Sequence, residues 1–362
     1  RLHMAEMTSK QRVLTTMSRK EPDRVPIFDF IYSRPLYKEL LGHVPEYYNA
    51  EDVLRCSAKI GYDLAVIPFG GVAGLDDHAA SGPVFSDEWG TKYRATPETW
   101  PTGSPIEYPI RSREDYNNYS WPDPKKPERL KEISAGLRLA KENSMALVGS
   151  VRGPFSASWL LTGLEDFMML LYDDPDLVDG ILTHCTDFFI EGGRRMAAAG
   201  VDALLFADDY GSNTGPLLAP EQYHKHVFPQ TQRLIAAFRE LGLPVIMHSD
   251  GNLNLILKDL VGMGISAYHP MERASDMKID EIKKNYGGSI CLMGNVNNKT
   301  TLVSGTADDI ENEVRGCIRS AAPGGGYILA SDHSLHDDIP NSNVFALYEA
   351  GRRHGTYPIR SL

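Results

Sequence analysis

Residues 243–272 read LPVIMHSDGNLNLILKDLVGMGISAYHPME, and this stretch contains one complete strand–helix–strand unit. Residues 245–249 are a short apolar run of the kind that forms buried strands. Residues 253–263 then space their apolar side chains at helical intervals, Gly264 follows as a turn, and a second short run covers residues 266–269. Two strands joined by a helix predict a parallel pair.

The same strand-then-helix rhythm extends in both directions from this unit. Eight runs are candidate strands: Val25–Ile31, Asp63–Phe69, Ala146–Val151, Asp202–Ala207, Val245–Ser249, Ser266–His269, Ile290–Gly294 and Tyr327–Ala330. Eight such units in a chain of 362 residues favour an α/β fold closed into a (β/α)₈ TIM barrel over an open sheet. No Gly-x-Gly-x-x-Gly follows the first strand, so a dinucleotide-binding fold has little support.

Two additions to the barrel are predicted. A helix over Ser9–Arg19 precedes the first strand as an N-terminal helical extension. The segment GPVFSDEWGTKYRA at Gly82–Ala95 alternates in polarity and contains Gly90, as expected for an inserted β-hairpin. The stretch from Pro97 to Pro127 keeps large apolar residues and is expected to be ordered. Residues 1–362 are therefore expected to form a single domain.

The composition argues against several classes of partner. The formal net charge is −11 and the pI is about 5.5, and an acidic surface repels nucleic acid and anionic membranes. The four cysteines are scattered without a C-x-x-C pair, which indicates reduced thiols. Apolar runs fall short of the roughly 20 residues of a membrane span, and no signal peptide is evident. A cytoplasmic protein is the expectation, and a homodimer is left open.

Polar side chains suited to catalysis follow several candidate strands at their carboxyl ends. These segments are Phe206–Tyr210, Met247–Gly251, Tyr268–Glu272, Met293–Asn297 and Ala330–His333. In a barrel all of these strand ends meet on one face, which is the face that carries active sites.

A candidate metal site is formed by four of these residues. His248 and Asp250 have i, i+2 spacing, which directs both side chains to one side of a strand. With His333 and Glu272 they make a set of two histidines and one or two carboxylates, which suits zinc or non-heme iron. The alternative is that the histidines only form hydrogen bonds at the barrel mouth.

Further candidates surround this set. Asp208 or Asp209 is a candidate general acid or base, and only one of them is expected to face the pocket because successive strand residues point in opposite directions. Asp87 and Trp89 lie in the predicted hairpin and suit a cover over a ligand, with Asp87 a candidate catalytic carboxylate; an ordinary turn is the alternative. Arg152 follows a strand and either holds an anionic group or neutralises the acidic cluster.

Taken in order, these segments resemble the uroporphyrinogen decarboxylase superfamily, and within it the cobalamin-dependent methyltransferase branch. The resemblance runs from about Arg12 to Tyr357. It is carried by DEWG at 87–90, GVD at 200–202 leading to Asp208-Asp209, HSDGN at 248–252, MGNV at 293–296, PGGGYI at 323–328 and SDH at 331–333. It implies a (β/α)₈ barrel and one of two chemistries.

The first chemistry is cofactor-free decarboxylation of a tetrapyrrole, and the sequence disfavours it. The decarboxylases carry an Arg-x-Ala-Gly-Arg segment after the first strand for their polyanionic substrate. Residues 28–35 here read FDFIYSRP, which is aromatic with one arginine. A lyase acting on a carboxylated substrate is kept as the first alternative function. A non-catalytic binding barrel is the second, although an inert barrel gains nothing from gathering charge.

The second chemistry is methyl transfer to or from a corrinoid. Relatives that methylate thiols are similar to zinc enzymes with a His-x-Cys pair and a later Cys. The corresponding positions here are His248, Asp250 and His333, without a thiolate. A nitrogen and oxygen site leaves more positive charge on zinc and favours an oxygen ligand. The resulting hypothesis is O-demethylation of a methoxylated aromatic, in which a Lewis acid or a proton stabilises the departing oxygen.

Substrate and partner follow from the same hypothesis. Phe28, Phe30, Tyr32 and Trp89 are expected to form apolar walls for an aromatic ring, and each of them has plain packing as its alternative. Asn295, at a strand end, and Arg152 are added as candidate substrate contacts. The corrinoid is expected on a partner protein, because no separate cobalamin-binding domain fits in this chain.

Overall fold

The computed structural model of the protein describes residues 6–71 and 83–359. Gly82, the first residue of the predicted hairpin segment, lies outside the described residues, as do the two ends of the predicted domain.

The strands of the described residues are, in chain order, Leu64–Pro68 (β1), Val84–Ser86 (β2), Lys92–Arg94 (β3), Ser104–Glu107 (β4), Ala146–Arg152 (β5), Ala203–Ala207 (β6), Val245–Ser249 (β7), Ala267–Pro270 (β8), Cys291–Val296 (β9) and Tyr327–Ser331 (β10). The α-helices are Ser9–Met17 (α1), Arg34–Leu41 (α2), Ala50–Ile60 (α3), Arg113–Asn118 (α4), Lys131–Glu142 (α5), Pro154–Thr162 (α6), Leu164–Asp173 (α7), Pro175–Ala199 (α8), Pro220–Gln222 (α9), Phe228–Glu240 (α10), Leu257–Gly262 (α11), Ile279–Tyr286 (α12), Thr301–Ser304 (α13), Ala307–Ala321 (α14) and Asn341–His354 (α15). Short 3₁₀ turns cover Pro97–Thr99, Pro127–Leu130 and Arg273–Ser275, and Tyr223–Val227 is a π-helical turn between α9 and α10.

Seven strands form one parallel sheet in the order β1-β5-β6-β7-β8-β9-β10. The predicted first strand closes this sheet into a barrel as an irregular segment. Phe28 N donates a hydrogen bond to Leu329 O at 3.0 Å on one side, and Asp63 N donates one to Ile27 O at 2.9 Å on the other. Pro26 lacks an N–H group, so this segment does not make a regular ladder. The predicted (β/α)₈ barrel is confirmed.

The two predicted additions are also present. Helix α1 covers Ser9–Met17 of the predicted N-terminal helix. The inserted hairpin pairs β2 with β3, and β4, which lies in the stretch from Pro97 to Pro127, adds a third antiparallel strand. Within the described residues, no helix has the length and apolar character that crossing a membrane requires.

The helical region that follows β5 is divided in two. The region from Ala157 to Tyr172 contains two helices, α6 and α7, which meet at Gly163. Gly163 has φ +88°, and a Cβ there would lie 2.9 Å from the ring of Tyr108. A residue with a side chain would be strained in both respects, so glycine is required at this turn.

Alternate strand residues fill the interior of the barrel. The inward set is Leu64, Val66, Ala146, Val148, Ala203, Leu205, Ile246, Ala267, Cys291, Met293, Ile328 and Ala330, and Val13 and Met17 of α1 close its amino-terminal end. Continuing the same alternation to the carboxyl ends of the strands places Arg152, Asp209, His248, Asp250 and His269 on the inward face. The strand order therefore decides which polar side chains meet.

A buried ionic network ties the irregular first strand to its neighbours. The Asp63 carboxylate accepts hydrogen bonds from Arg12 Nη1 at 2.7 Å, from Arg24 Nη1 at 2.8 Å and from Ile27 N at 2.8 Å. The Asp63 side chain is fully buried, and the Arg12 side chain is only 4% exposed. One carboxylate thus joins α1, the barrel-closing segment and β1.

We expect Asp63→Ala to lower the free energy of unfolding by about 3–5 kcal/mol, because it leaves the buried guanidinium of Arg12 without one of its carboxylate partners. Urea denaturation measures the loss. The control is Glu51→Ala, which removes an exposed ion pair with Arg55 within α3 and should cost less than about 1 kcal/mol. Equal losses in the two variants would contradict the importance of this network.

Candidate active site

Three of the four predicted metal ligands come together at the carboxyl-terminal face of the barrel. His333 Nε2 lies 3.0 Å from Asp250 Oδ2, and His248 Nε2 lies 3.6 Å from Asp250 Oδ1. One ligand atom from each residue lies within 4.8 Å of those of the other two. His248 is on β7, Asp250 follows directly, and His333 follows β10, so sequence-distant segments build one cluster.

Glu272 does not belong to this cluster. Its Oε2 accepts a hydrogen bond from Gly251 N at 3.0 Å, and its Oε1 accepts one from Lys299 Nζ at 2.5 Å. Both oxygens are therefore engaged, and the contact to Gly251 holds the loop that carries Asp250. This position favours a supporting role for Glu272 over the predicted role as a ligand.

The three clustered residues fit a divalent metal ion. Within the described residues, Asp250 Oδ1 is buried and has no hydrogen-bond partner, which is costly unless another group satisfies it. The outer nitrogens of both histidines are held: His248 Nδ1 lies 2.7 Å from His269 Nδ1, and His333 Nδ1 lies 2.7 Å from Ser334 Oγ. Three N and O donors with such outer partners are typical of catalytic zinc sites.

Charges within the cluster are strongly coupled. Burial opposes ionisation of Asp250, but the charges of His333 and His248 outweigh it and hold the pKa of that carboxyl well below its usual range. Burial likewise disfavours the charged form of His333, yet the contact with Asp250 raises its pKa to about 9. Burial and the neighbouring His248 lower the pKa of His269 well below its usual value, so His269 is neutral.

Of the adjacent aspartates, Asp209 faces the cavity. Its Oδ1 accepts a hydrogen bond from Asp250 N at 3.1 Å and lies 3.9 Å from His248 Nε2. Its side chain is 48% exposed toward the cavity. Desolvation of its carboxyl group, and then the charge of Asp250, raise its pKa. Asp209 therefore lies beside the cluster with a pKa above that of an ordinary aspartate.

Asp208 points the other way and stabilises a helix. Its carboxylate accepts hydrogen bonds from Phe155 N at 3.1 Å and Ser156 N at 2.6 Å, at the amino terminus of α6. A Cβ at Gly153 would lie 2.2 Å from Asp208, so glycine makes room for this contact. Asp208 is fully buried at the amino terminus of a helix, which favours a structural role over the predicted catalytic one.

A cavity of about 410 Å³ adjoins the cluster. Asp209, His248, Asp250 and His333 contribute to its wall. Much of the remaining lining is aromatic and includes Phe30, Tyr32, Tyr48, Trp89, Tyr93, Trp159, Phe188 and Phe189. The inserted sheet and its turn supply Trp89, Tyr93 and Pro105, so the insertion covers the barrel mouth. The placement of Phe30, Tyr32 and Trp89 agrees with their predicted position as walls.

Two predicted substrate contacts lie away from the cavity. Phe28 is packed in the barrel interior, with its ring centroid 5.9 Å from that of His269. Asn295 Nδ2 donates to the carbonyls of Met271 at 2.8 Å and Met277 at 3.1 Å, which uses its amide to fix the loop after β8. Both positions favour structural roles over the predicted contacts with substrate.

Asp87 and Arg152 interact with each other at the edge of the cavity. Asp87 Oδ1 accepts hydrogen bonds from the backbone of Trp89 and Thr91, both at 3.0 Å, and its Oδ2 accepts one from Tyr93 at 3.0 Å. These contacts favour a role in holding the hairpin turn over the predicted catalytic role. Arg152, which lines the cavity, approaches Asp87 to 4.0 Å and partly neutralises it.

Sequence reasoning missed the role of His269. This residue pairs with His248 in the register of β7 and β8, and their Nδ1 atoms lie 2.7 Å apart. The signal was available, because both histidines lie near the carboxyl ends of consecutive parallel strands. The aromatic residues of α6 and α8 that line the cavity gave no such signal, since Trp159, Phe188 and Phe189 also fit an ordinary core.

Comparisons with known proteins agree with this architecture. Residues 86–354 match the family model described as uroporphyrinogen decarboxylase (URO-D). The methylcobamide:CoM methyltransferase MtbA of Methanosarcina mazei is 24% identical over 361 residues, covering 97% of this chain and 99% of the relative. MtaA of Methanosarcina barkeri, with the same described activity, is 24% identical over 358 residues, covering 96% and 98%.

Decarboxylases match a shorter part of the chain. A uroporphyrinogen decarboxylase of Anaeromyxobacter dehalogenans is 28% identical over 260 residues, covering 70% of this chain and 72% of the relative. Among solved structures, a methyltransferase from Methanosarcina mazei aligns with a TM-score of 0.74 at 21% identity, covering 96% of this chain and 99% of that one. This likeness shows a common fold along nearly the whole chain.

The ion pair between His333 and Asp250 predicts a pH-dependent stability in metal-stripped protein. The pKa of His333 is raised to about 9 in the folded protein, against about 6.5 when unfolded. Its stabilising contribution is therefore fully present below about pH 6.5 and is lost as the pH rises through about 9. The difference in Tm between wild type and His333→Gln, both treated with EDTA, should shrink over this range. A constant difference would contradict the ion pair.

Proposed function

We propose that this chain, which belongs to the uroporphyrinogen decarboxylase family, is a corrinoid-dependent methyltransferase that demethylates a methoxylated aromatic compound. The methyl group passes to a corrinoid carried by a partner protein, and the ring leaves as a phenol. The observation that carries the proposal is an aromatic-lined cavity of about 410 Å³ with His248, Asp250 and His333 in its wall. The methylcobamide:CoM methyltransferase relatives support corrinoid-dependent methyl transfer.

The donor atoms of the cluster support an ether rather than a thiol. A metal ion, zinc being the proposed one, would be held by His248, Asp250 and His333 and would supply a Lewis acid to an oxygen atom. Thiolate ligands, which suit activation of a thiol, are absent at these three positions. An ether oxygen needs this help, because an aryloxide is a poor leaving group without a positive charge or a proton.

Asp209 is proposed as the acid that completes the reaction. Desolvation and then the charge of Asp250 raise its pKa, so Asp209 takes up a proton more readily than an ordinary aspartate. The CH₃–O bond would break as cobalt(I) of the corrinoid gives its electron pair to the methyl carbon, and the departing oxygen would take the proton of Asp209, which becomes a carboxylate. The products are a methylated corrinoid and a phenol.

The cavity walls suit a single substituted ring. Phe30, Tyr32 and Trp89 offer apolar surface that an aromatic donor would remove from water. Arg152 pairs with Ala207, which in turn pairs with His248, so Arg152 and His248 lie at one level of the barrel with one strand between them. With strands about 4.8 Å apart, their backbones are separated by roughly 10 Å, which leaves room for a ring. A polar ring substituent remote from the methoxy group would then meet Arg152.

Decarboxylation of a polyanionic tetrapyrrole fits these residues poorly. Arg34, the arginine of residues 28–35, is bound to Asp337. Arg129, a second arginine of the cavity region, donates to both carboxylate oxygens of Glu88, at 2.5 and 2.6 Å. A substrate with many carboxylates would have to displace such pairs, and breaking a buried ion pair is costly.

We expect Asp209→Asn to lower kcat/KM for demethylation by about 100-fold, because the amide cannot release a proton to the departing oxygen. The assay mixes a panel of methoxyarenes with chemically reduced cob(I)alamin and follows the absorbance of methylcobalamin. The matched control is Asp187→Asn on α8. It removes the charge of an exposed residue paired with Arg233 and should leave the rate unchanged. Failure of wild type across a broad donor panel would refute the ether hypothesis, and an unchanged rate in Asp209→Asn would refute the role of Asp209.

Metal content tests the cluster itself. Protein purified without added metal should hold about one zinc per chain by elemental analysis, and His248→Ala should lose it, because two remaining ligands bind zinc weakly. His43→Ala, which changes an exposed histidine paired with Asp52, should retain the metal. Wild type that is free of metal yet still transfers methyl groups would remove the metal from the proposal. Metal-free turnover of a carboxylate without corrinoid would favour the lyase alternative.

A further inference from the structure

We propose that His269 is a positioning residue that accepts a hydrogen bond from His248 Nδ1 and so directs the lone pair of His248 Nε2 toward the cavity. The inference rests on the proposed function, since it concerns the ligand state of His248. It gives a role to a buried histidine that touches neither the cavity nor the other two clustered residues.

The geometry allows two arrangements of the hydrogen between His248 and His269. The two Nδ1 atoms are 2.7 Å apart, and the rings are nearly parallel, with centroids 5.0 Å apart and an angle of 27° between planes. Two facing imidazole nitrogens at this distance share one hydrogen, so one ring donates and the other accepts. A hydrogen on both nitrogens, or on neither, would be repulsive.

The metal site of the proposed function decides between these arrangements, because a cation would lie between His248 Nε2 and the carboxylates that face it. His248 Nε2 faces Asp250 Oδ1 at 3.6 Å and Asp209 Oδ1 at 3.9 Å, on the cavity side. A neutral imidazole that offers a lone pair at Nε2 must carry its hydrogen at Nδ1. His248 is then the donor, and His269 Nδ1 is the acceptor.

The fold holds His269 in this orientation. The side chain is completely buried on β8, and the register of the sheet places it directly beside His248. The rings of Phe30 and Phe28 lie edge-on to it, with centroids 5.5 and 5.9 Å away. Within the described residues, its Nε2 has no hydrogen-bond partner. The contact with His248 is therefore the polar interaction that accounts for a histidine at this position.

A neutral acceptor has a chemical consequence. Metal-bound histidines often donate to a carboxylate, which draws the hydrogen away and makes the ligand nitrogen more basic. An imidazole acceptor does this less strongly. His248 is thus oriented while becoming less electron-rich than it would beside a carboxylate, which would leave a bound cation more electrophilic toward an ether oxygen.

The test measures the dissociation constant for Zn²⁺ of the metal-stripped protein, by competition with a chromogenic chelator. His269→Leu removes the acceptor and should weaken binding by about 10- to 100-fold. His269→Asn places its Oδ1 near the position of the imidazole Nδ1 and should bind zinc within about threefold of wild type. His269→Gln places its amide farther out, near the position of Nε2, and should behave like the leucine variant, which provides a substitute if that variant fails to fold.

His226→Leu is the matched control, because it removes another buried histidine, which contacts Asp179 on the outside of the barrel. It should leave zinc affinity unchanged. Wild-type affinity in folded His269→Leu, or in His269→Gln, would overturn the proposal, as would an asparagine variant that binds as weakly as leucine. Wild type that binds no zinc gives a different result: it removes the metal from the proposed function and the positioning role with it.

Discussion

The two-residue alternation of barrel strands is the constraint on which the site depends. Because side chains alternate along a strand, the residues that point inward at its middle determine which residues point inward at its carboxyl end. Ala203 and Leu205 fill the barrel interior, so Asp209 faces the cavity, while Asp208 turns outward to the amino terminus of α6. A shift of one residue in β6 would turn Asp209 away from the cavity and would take Asp208 away from the amino terminus of α6.

The two-residue alternation also explains which parts of the fold and of the candidate site could be predicted from the sequence. The barrel, its insertion and the cluster of His248, Asp250 and His333 could be predicted, because they follow from strand periodicity and from strand-end positions. The roles of Asp87, Asn295 and Glu272 could not. Their polar groups are occupied by backbone amides, carbonyls and a lysine from other loops, and loop conformation is not encoded in a periodic pattern.

The carboxyl groups of Asp250 and Asp209 have pKa values that are shifted in opposite directions. Asp250 is held ionised by two histidines despite its burial, whereas the pKa of neighbouring Asp209 is raised by burial and by the charge of Asp250. The pKa values of two carboxyl groups at one rim are thus shifted in opposite directions, because Asp250 contacts two imidazoles while Asp209 faces the charge of Asp250. Under the proposed function, a donor oxygen bound among these residues would lie next to both the metal ligands and the acid.

The inserted sheet limits the order of events. Trp89, Tyr93 and Pro105 of the insertion line the cavity of about 410 Å³ at the barrel mouth, so under the proposed function the small donor would bind beneath them. The corrinoid, held on its own protein, would then approach the same cavity from outside the barrel. Such an arrangement would favour ordered binding, with the small donor seated before the larger partner docks over the barrel mouth.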